Sequence, residues 1–117
     1  MPGLAEVVRG LAARDEVEAV VVVSPDGLPI DHAARGPCDA DALSALAVTL
    51  LRPAARIGET AHRGQLTRAV FEYAGGLAVL SLLGDGNALL VLLTAGADAG
   101  TMLYDLRRHT PALSALL

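Results

Sequence analysis

Lysine is missing from this sequence, and so is tryptophan. All nine basic residues are arginine, set against 13 acidic ones for a formal net charge of −4. The arginines are scattered. With no basic block to neutralise a run of phosphates and no indole to stack on bases, no nucleic-acid partner is expected. Cysteine occurs once, at Cys38, which excludes an internal disulfide and any thiolate zinc cluster within one chain. Aromatic residues are limited to one Phe and two Tyr, so the core must be built from Leu, Val and Ala in closely packed layers. The longest apolar runs, such as Ala88 to Leu93, fall far short of the roughly 20 residues that span a bilayer. Direct membrane insertion is therefore not expected. The Met1-Pro2-Gly3 start shows no basic segment leading into an apolar one, so no signal peptide and a cytoplasmic location are expected.

What is present is aliphatic. The chain has 117 residues, 53% of them hydrophobic, enough for one domain over residues 1–117 with a core of its own. Leu4, Val7, Val8 and Leu11 form the apolar stripe of a short first helix. Val17 to Ser24 is a run of valines without alternation, which predicts a strand covered on both faces and central in its sheet. Ser24-Pro25-Asp26-Gly27 supplies a turn, and Leu28 to Ala33 is the returning strand. Asp39 or Asp41 caps a long second helix ending near Gly58. Leu43, Leu46, Ala47, Leu50, Ala54 and Ile57 are expected to form its core face. Ala45, Val48, Arg52, Ala55 and Glu59 share a second, mixed face. Pro53 lies inside this helix and is expected to kink it.

Gln65 to Tyr73 alternates, with Thr67, Ala69, Phe71 and Tyr73 on one side and Arg68, Val70 and Glu72 on the other. That pattern suits a half-exposed edge strand. Gly75-Gly76 and Gly84-Asp85-Gly86-Asn87 are turns joining it to two further apolar strands, Leu77 to Leu83 and Ala88 to Thr94. Tight turns make these three strands antiparallel neighbours. Asp98 caps a last helix with Met102, Leu103 and Leu106 on its stripe. Thr110-Pro111 either stops that helix or caps one more turn carrying Leu113, Leu116 and Leu117. The order is α-β-β-α-β-β-β-α.

Candidate chemistry is thin. Asp31, His32, Cys38 and Asp39 match no zinc spacing and read as a solvated loop with a helix cap. His32 and Cys38 lack a third group to orient a thiol nucleophile. Gly84-Asp85-Gly86-Asn87 lacks the Gly-Lys-Ser/Thr of a phosphate loop and is followed by a strand. No catalytic, cofactor or metal residues are therefore assigned. Arg52, Arg56, Arg63 and Arg68 cluster in sequence, as a solubilising rim or as a contact surface for an acidic or phosphate-bearing partner. An edge strand must be covered, blunted or paired. Strand Gln65–Tyr73 has no proline and carries Val70, Phe71 and Tyr73. Together with the small-residue helix face at Ala45, Val48 and Ala55, it predicts a twofold interface between two copies.

At this point "LAARDEVEAVVVVSPDGLPIDHA" and "GGLAVLSLLGDGNALLVLLTAGADAGTMLYDLRR" carry a resemblance to the roadblock/dynein light chain family, bacterial type. The resemblance covers nearly the whole chain. It implies an α/β (α+β) fold with a five-stranded antiparallel sheet between helices, the second helix on one face and the terminal helices on the other. It implies homodimers whose sheets join, no catalysis of their own, no cofactor, and a small Ras-like GTPase as partner. On that reading Arg52, Arg56, Glu59 and Arg63 are the candidate partner-binding residues, none of them an arginine finger. A small-molecule sensor of the PAS or GAF type, or a scaffold subunit of another complex, is the alternative. The strands offer almost no inward polar group for a ligand.

Overall fold

Val20, Val21, Val22 and Val23 are all completely buried, because the strand that holds them is covered on both faces. That strand, β1 (Val17–Val23), follows α1 (Leu4–Ala12) and precedes β2 (Pro29–Ala34), α2 (Ala40–Thr60), β3 (Arg68–Tyr73), β4 (Gly76–Gly84), β5 (Asn87–Thr94) and α3 (Ala99–Ala115). The structure is a computed structural model and describes residues 3–117. Met1 and Pro2, on which the absence of a leader was read, lie outside the described residues. The five strands form one sheet in the order β2-β1-β5-β4-β3, every neighbouring pair antiparallel. The fold has the expected element order, and β3 is an edge strand as its alternation predicts.

Two layers cover the sheet. On one face α1 and α3 pack through Val8, Leu11, Met102, Leu106 and Leu113 onto Val20, Val22, Leu89 and Val91. On the other face α2 packs through Ala40 and Ala47 onto Val21, Val23, Leu80 and Leu90. Arg14, just past α1, ties the first layer together by pairing with Glu16 at 2.8 Å and Asp105 of α3 at 2.7 Å. Asp105 holds the Arg14 proton more tightly than in a free arginine.

The turns follow their residues. Gly27 has φ +80°, and a Cβ there would sit 3.4 Å from the Ala45 Cα, so α2 rides directly on the backbone of the β1–β2 turn. Asp85 and Gly86, with φ of 54° and 81°, make the two-residue β4–β5 hairpin in the left-handed conformation such turns require. Asp39, rather than Asp41, caps α2 by accepting from the Ala42 N–H at 3.1 Å.

Neither proline inside a helix interrupts it. Helix α2 runs unbroken through Pro53. Helix α3 continues through Pro111 to Ala115 as one element, so Thr110-Pro111 neither stops nor recaps it. The Thr110 hydroxyl donates to the Leu106 carbonyl, the Ser114 hydroxyl donates to the Leu83 carbonyl of β4, and Leu113 is fully buried. These contacts on either side of Pro111 offset its missing N–H.

Gly76 has φ +151°, and a Cβ there would run into the Leu93 carbonyl. Gly76→Ala is therefore expected to destabilise the fold by about 1–3 kcal/mol, read from the urea midpoint. Asp98 accepts hydrogen bonds from the Thr101 hydroxyl at 2.8 Å, the Gly100 N–H at 3.0 Å and the Thr101 N–H. The bonds from Thr101 are the main reason its pKa lies below the ordinary aspartate value of 3.8. The folded value is depressed, so the cap is complete above the ordinary value and is lost as pH falls through the lower folded one. Far-UV circular dichroism should show a helix-content loss in that acid window that Asp98→Ala removes.

Candidate functional site

The layer over the second face is incomplete. Helix α2 lies over β1 and β2 and leaves the β3–β4 side of the sheet without a helix. The sheet there is apolar, with Ala78, Leu80 and Leu90 already largely buried in the protomer and Leu46, Leu50 and Tyr73 exposed around them. Phe71 stands opposite Ala78 and Ala69 opposite Leu80; Leu80 stands opposite Leu90 and Ala78 opposite Leu92. Between this surface and the flank of α2 runs a groove of about 370 Å³, lined by Leu43, Leu46, Leu50, Phe71, Leu80 and Leu92 among others. Beyond it the α2 flank continues to Ile57, which with Pro53 lines a shallower cleft.

This corrects the expected phase of α2. Leu46, Leu50 and Ile57 were assigned to the core and are instead 61%, 42% and 72% exposed. The fully buried residues of α2 are small, Ala40, Ser44 and Ala47, with Leu43, Val48 and Leu51 packed part-buried beside them. Small side chains let the helix approach the β1–β2 turn closely, as the Gly27–Ala45 contact shows. A helix with two apolar stripes has two phases that satisfy periodicity equally. Of the expected core face, Ala47 is buried and Leu43 packs against the cluster, while Leu46, Leu50 and Ile57 turn outward.

The predicted interface residues divide accordingly. Val70 and Tyr73 are exposed on β3, at 42% and 60%, and Phe71 is half-buried in the groove wall. Val48 packs against the inner core cluster. Ala45 lies with its backbone on the hairpin turn. Ala55 lines a cleft with Glu59, Leu66 and Leu82. Phe71 and Tyr73 thus line the open groove and Val70 stands on the opposite face of β3, while Val48 and Ala55 lie toward the protomer's own sheet and Ala45 is exposed beside the turn. Leu46 and Leu50 line the groove and Ile57 the cleft beyond it, where the spacing predicts core positions; Leu43 lines the groove and also packs against the inner cluster, as expected. The one signal distinguishing Leu46, Leu50 and Ile57 was the parallel stripe Ala40-Ser44-Ala47, small enough to be the packed side.

The charged candidates are spread out. Arg52, Arg56 and Glu59 are exposed on α2 and Arg63 on the loop after it; among the described residues none of them forms an ion pair. Asp31 and His32 occupy successive positions of β2 and point to opposite faces of the sheet. The Asp39 carboxylate is engaged by its cap, and Cys38 packs against the inner cluster. Among the described residues no three His, Cys, Asp or Glu side chains gather to hold a metal, and no helix is long and apolar enough to cross a membrane. The chemistry available is recognition by an apolar groove, an open strand edge and a set of unpaired arginines.

The sequence profile of the Roadblock/LC7 domain matches residues 4–94. The chain belongs to the Roadblock/LC7 domain family. A Roadblock/LC7 domain from Streptomyces avermitilis superimposes with a TM-score of 0.86 at 27% identity, covering 97% of both chains. MglB from Myxococcus xanthus has the same fold, with a TM-score of 0.86 at 15% identity over 97% of this chain and 93% of its own. An MglB described in a tetrameric arrangement gives a TM-score of 0.83 at 13% identity over 99% and 91%. Comparison with curated proteins returned no match. The fold of this Roadblock/LC7 chain supports a regulatory or scaffold role.

The exposed flank of α2 and the buried sheet face should respond differently to truncation. Leu46→Ala and Ile57→Ala, measured in dilute protein, are expected to change stability by no more than about 0.5 kcal/mol. Leu80→Ala, in the buried sheet face, should cost about 2–5 kcal/mol. Denaturant titration of the three variants decides.

Proposed function

We propose that this Roadblock/LC7 chain is a non-enzymatic homodimeric regulatory protein that binds a small Ras-like GTPase. The observation that carries the dimer is the adjacency of the open apolar groove to the unpaired edge of β3. Exposed apolar patches next to a strand edge are surfaces that need a partner. A second copy related by a twofold axis supplies both complements at once: its β3 extends the sheet and its α2 flank fills the groove. The MglB described in a tetrameric arrangement supports assembly as a habit of the fold.

The GTPase reading rests on the family resemblance. The dimer would regulate by binding one nucleotide state more tightly than the other, since equal affinity shifts nothing. Arg52, Arg56, Glu59 and Arg63 remain the proposed contact residues, exposed and without ion-pair partners in the described chain. The sensor alternative is weaker, because the groove is lined almost wholly by apolar side chains and a ligand site needs convergent polar groups.

Two measurements test this. Sedimentation of the purified chain should give a dimer, and Leu46→Glu with Leu50→Glu should raise its dissociation constant by about 100-fold or more while leaving the protomer folded. A tagged chain exposed to lysate of its own organism should recover a small GTPase in one nucleotide condition and not the other. Arg52→Glu with Arg56→Glu should weaken that binding about tenfold; undiminished binding removes this surface.

A further inference from the structure

The edge of β3 carries information beyond its being open. The Leu82 N–H donates to the Thr67 carbonyl at 3.0 Å, so Thr67, Ala69, Phe71 and Tyr73 direct their backbone groups to β4. Antiparallel geometry then turns the N–H and C=O groups of Arg68, Val70 and Glu72 outward to the free edge. The side chains of these same three residues share the α1/α3 face of the sheet, opposite Ser81, Val79 and Leu77 of β4. Along the edge the order is positive, apolar, negative.

Arg68 and Glu72 both lack an ion-pair partner among the described residues. Arg68 is half-buried, and its Nε–H is buried without an acceptor. Burial, and after it the nearby cation Arg107 of α3, lowers the Arg68 pKa. A covered guanidinium N–H with no acceptor is costly, and the Nε edge of arginine is suited to bidentate contact with a carboxylate.

We propose that two copies pair their β3 strands antiparallel about Val70, so that Arg68 of each faces the partner's Glu72. This rests on the homodimer reading and specifies its register. A strand reading positive, apolar, negative is complementary to its own reverse. A common groove requires both α2 helices on one face of the joined sheet, and that limits the twofold to passing through a residue of β3. Centring on Arg68 or Glu72 opposes like charges. Centring on Ala69 sets Arg68 against the partner's Val70 and Glu72 against the partner's Leu66. Centring on Phe71 sets Glu72 against the partner's Val70. The Val70 centre alone forms two opposite-charge pairs. On the groove face it sets Ala69 against the partner's Phe71, a small residue beside the one large ring.

The test is a charge exchange read by sedimentation, with circular dichroism confirming the fold of each variant. Arg68→Glu and Glu72→Arg, each alone, place like charges opposite one another twice per dimer. Each should raise the dissociation constant about tenfold or more. The double exchange should return it to within about threefold of the native chain, and an equimolar mixture of the two single variants should form heterodimers. If Arg68→Glu does not fold, Arg68→Gln combined with Glu72→Gln takes its place and should show a smaller loss of about threefold to tenfold. A native dimer that ignores the single exchanges, or is not restored by the double one, overturns the register and leaves the dimer intact. A native monomer at high micromolar concentration overturns both.

Discussion

Burial of β1 on both faces is the constraint on which the structure depends. A strand of consecutive valines exposes apolar side chains both ways, so each face must have a cover. Helices α1 and α3 cover one face and α2 the other. Because α2 sits where β1 needs it, close over the β1–β2 turn at Gly27, its main contacts are with β1 and β2 and its flank toward β3 stays open. The open groove is thus a consequence of how the centre is sealed. With one long helix on that face, the same sheet cannot be covered at both ends.

That incompleteness links packing to function. An apolar sheet surface is stable in water only if something covers it. A second copy of this chain can supply a helix flank in the position where the first falls short. The interface then resembles a core divided between two chains, and its strength depends on Leu46, Leu50 and Phe71 rather than on charge. Charge has another task there. Arg68 and Glu72, without ion-pair partners among the described residues, add little net attraction at a half-exposed edge. They penalise wrong registers, which matters on a strand where a slip keeps most of the apolar contacts.

Much of this was legible in the residues. The valine run marked a doubly covered strand, the alternation from Thr67 to Tyr73 marked the edge, and Asp-Gly and Gly-Gly marked the hairpins. The phase of α2 was not legible, because Leu46-Leu50-Ile57 and Ala40-Ser44-Ala47 both keep helical spacing. Choosing between them requires knowing how near the sheet the helix comes, which is a tertiary quantity. Pro111 misled for a related reason. Its local cost is real, yet Leu113 and the Ser114–Leu83 contact hold the following turn from outside the helix. The arginines on α2 read identically as a solubilising rim and as a contact surface, since an exposed side chain carries no packing signature of its purpose.

A regulator built this way has its partner surface and its assembly surface on one element. Helix α2 presents Leu46, Leu50 and Ile57 on one flank and Arg52, Arg56 and Glu59 on its solvent side. Pairing two protomers through the first flank places two copies of the second on one continuous layer. A partner contacting that layer can meet both protomers, and its affinity then becomes linked to dimerisation: whatever stabilises the dimer stabilises the composite surface, and by reciprocity partner binding stabilises the dimer. No titrating side chain or bound cofactor is needed for such coupling. It requires only that the surface recognised by the partner exist in full when two chains are joined.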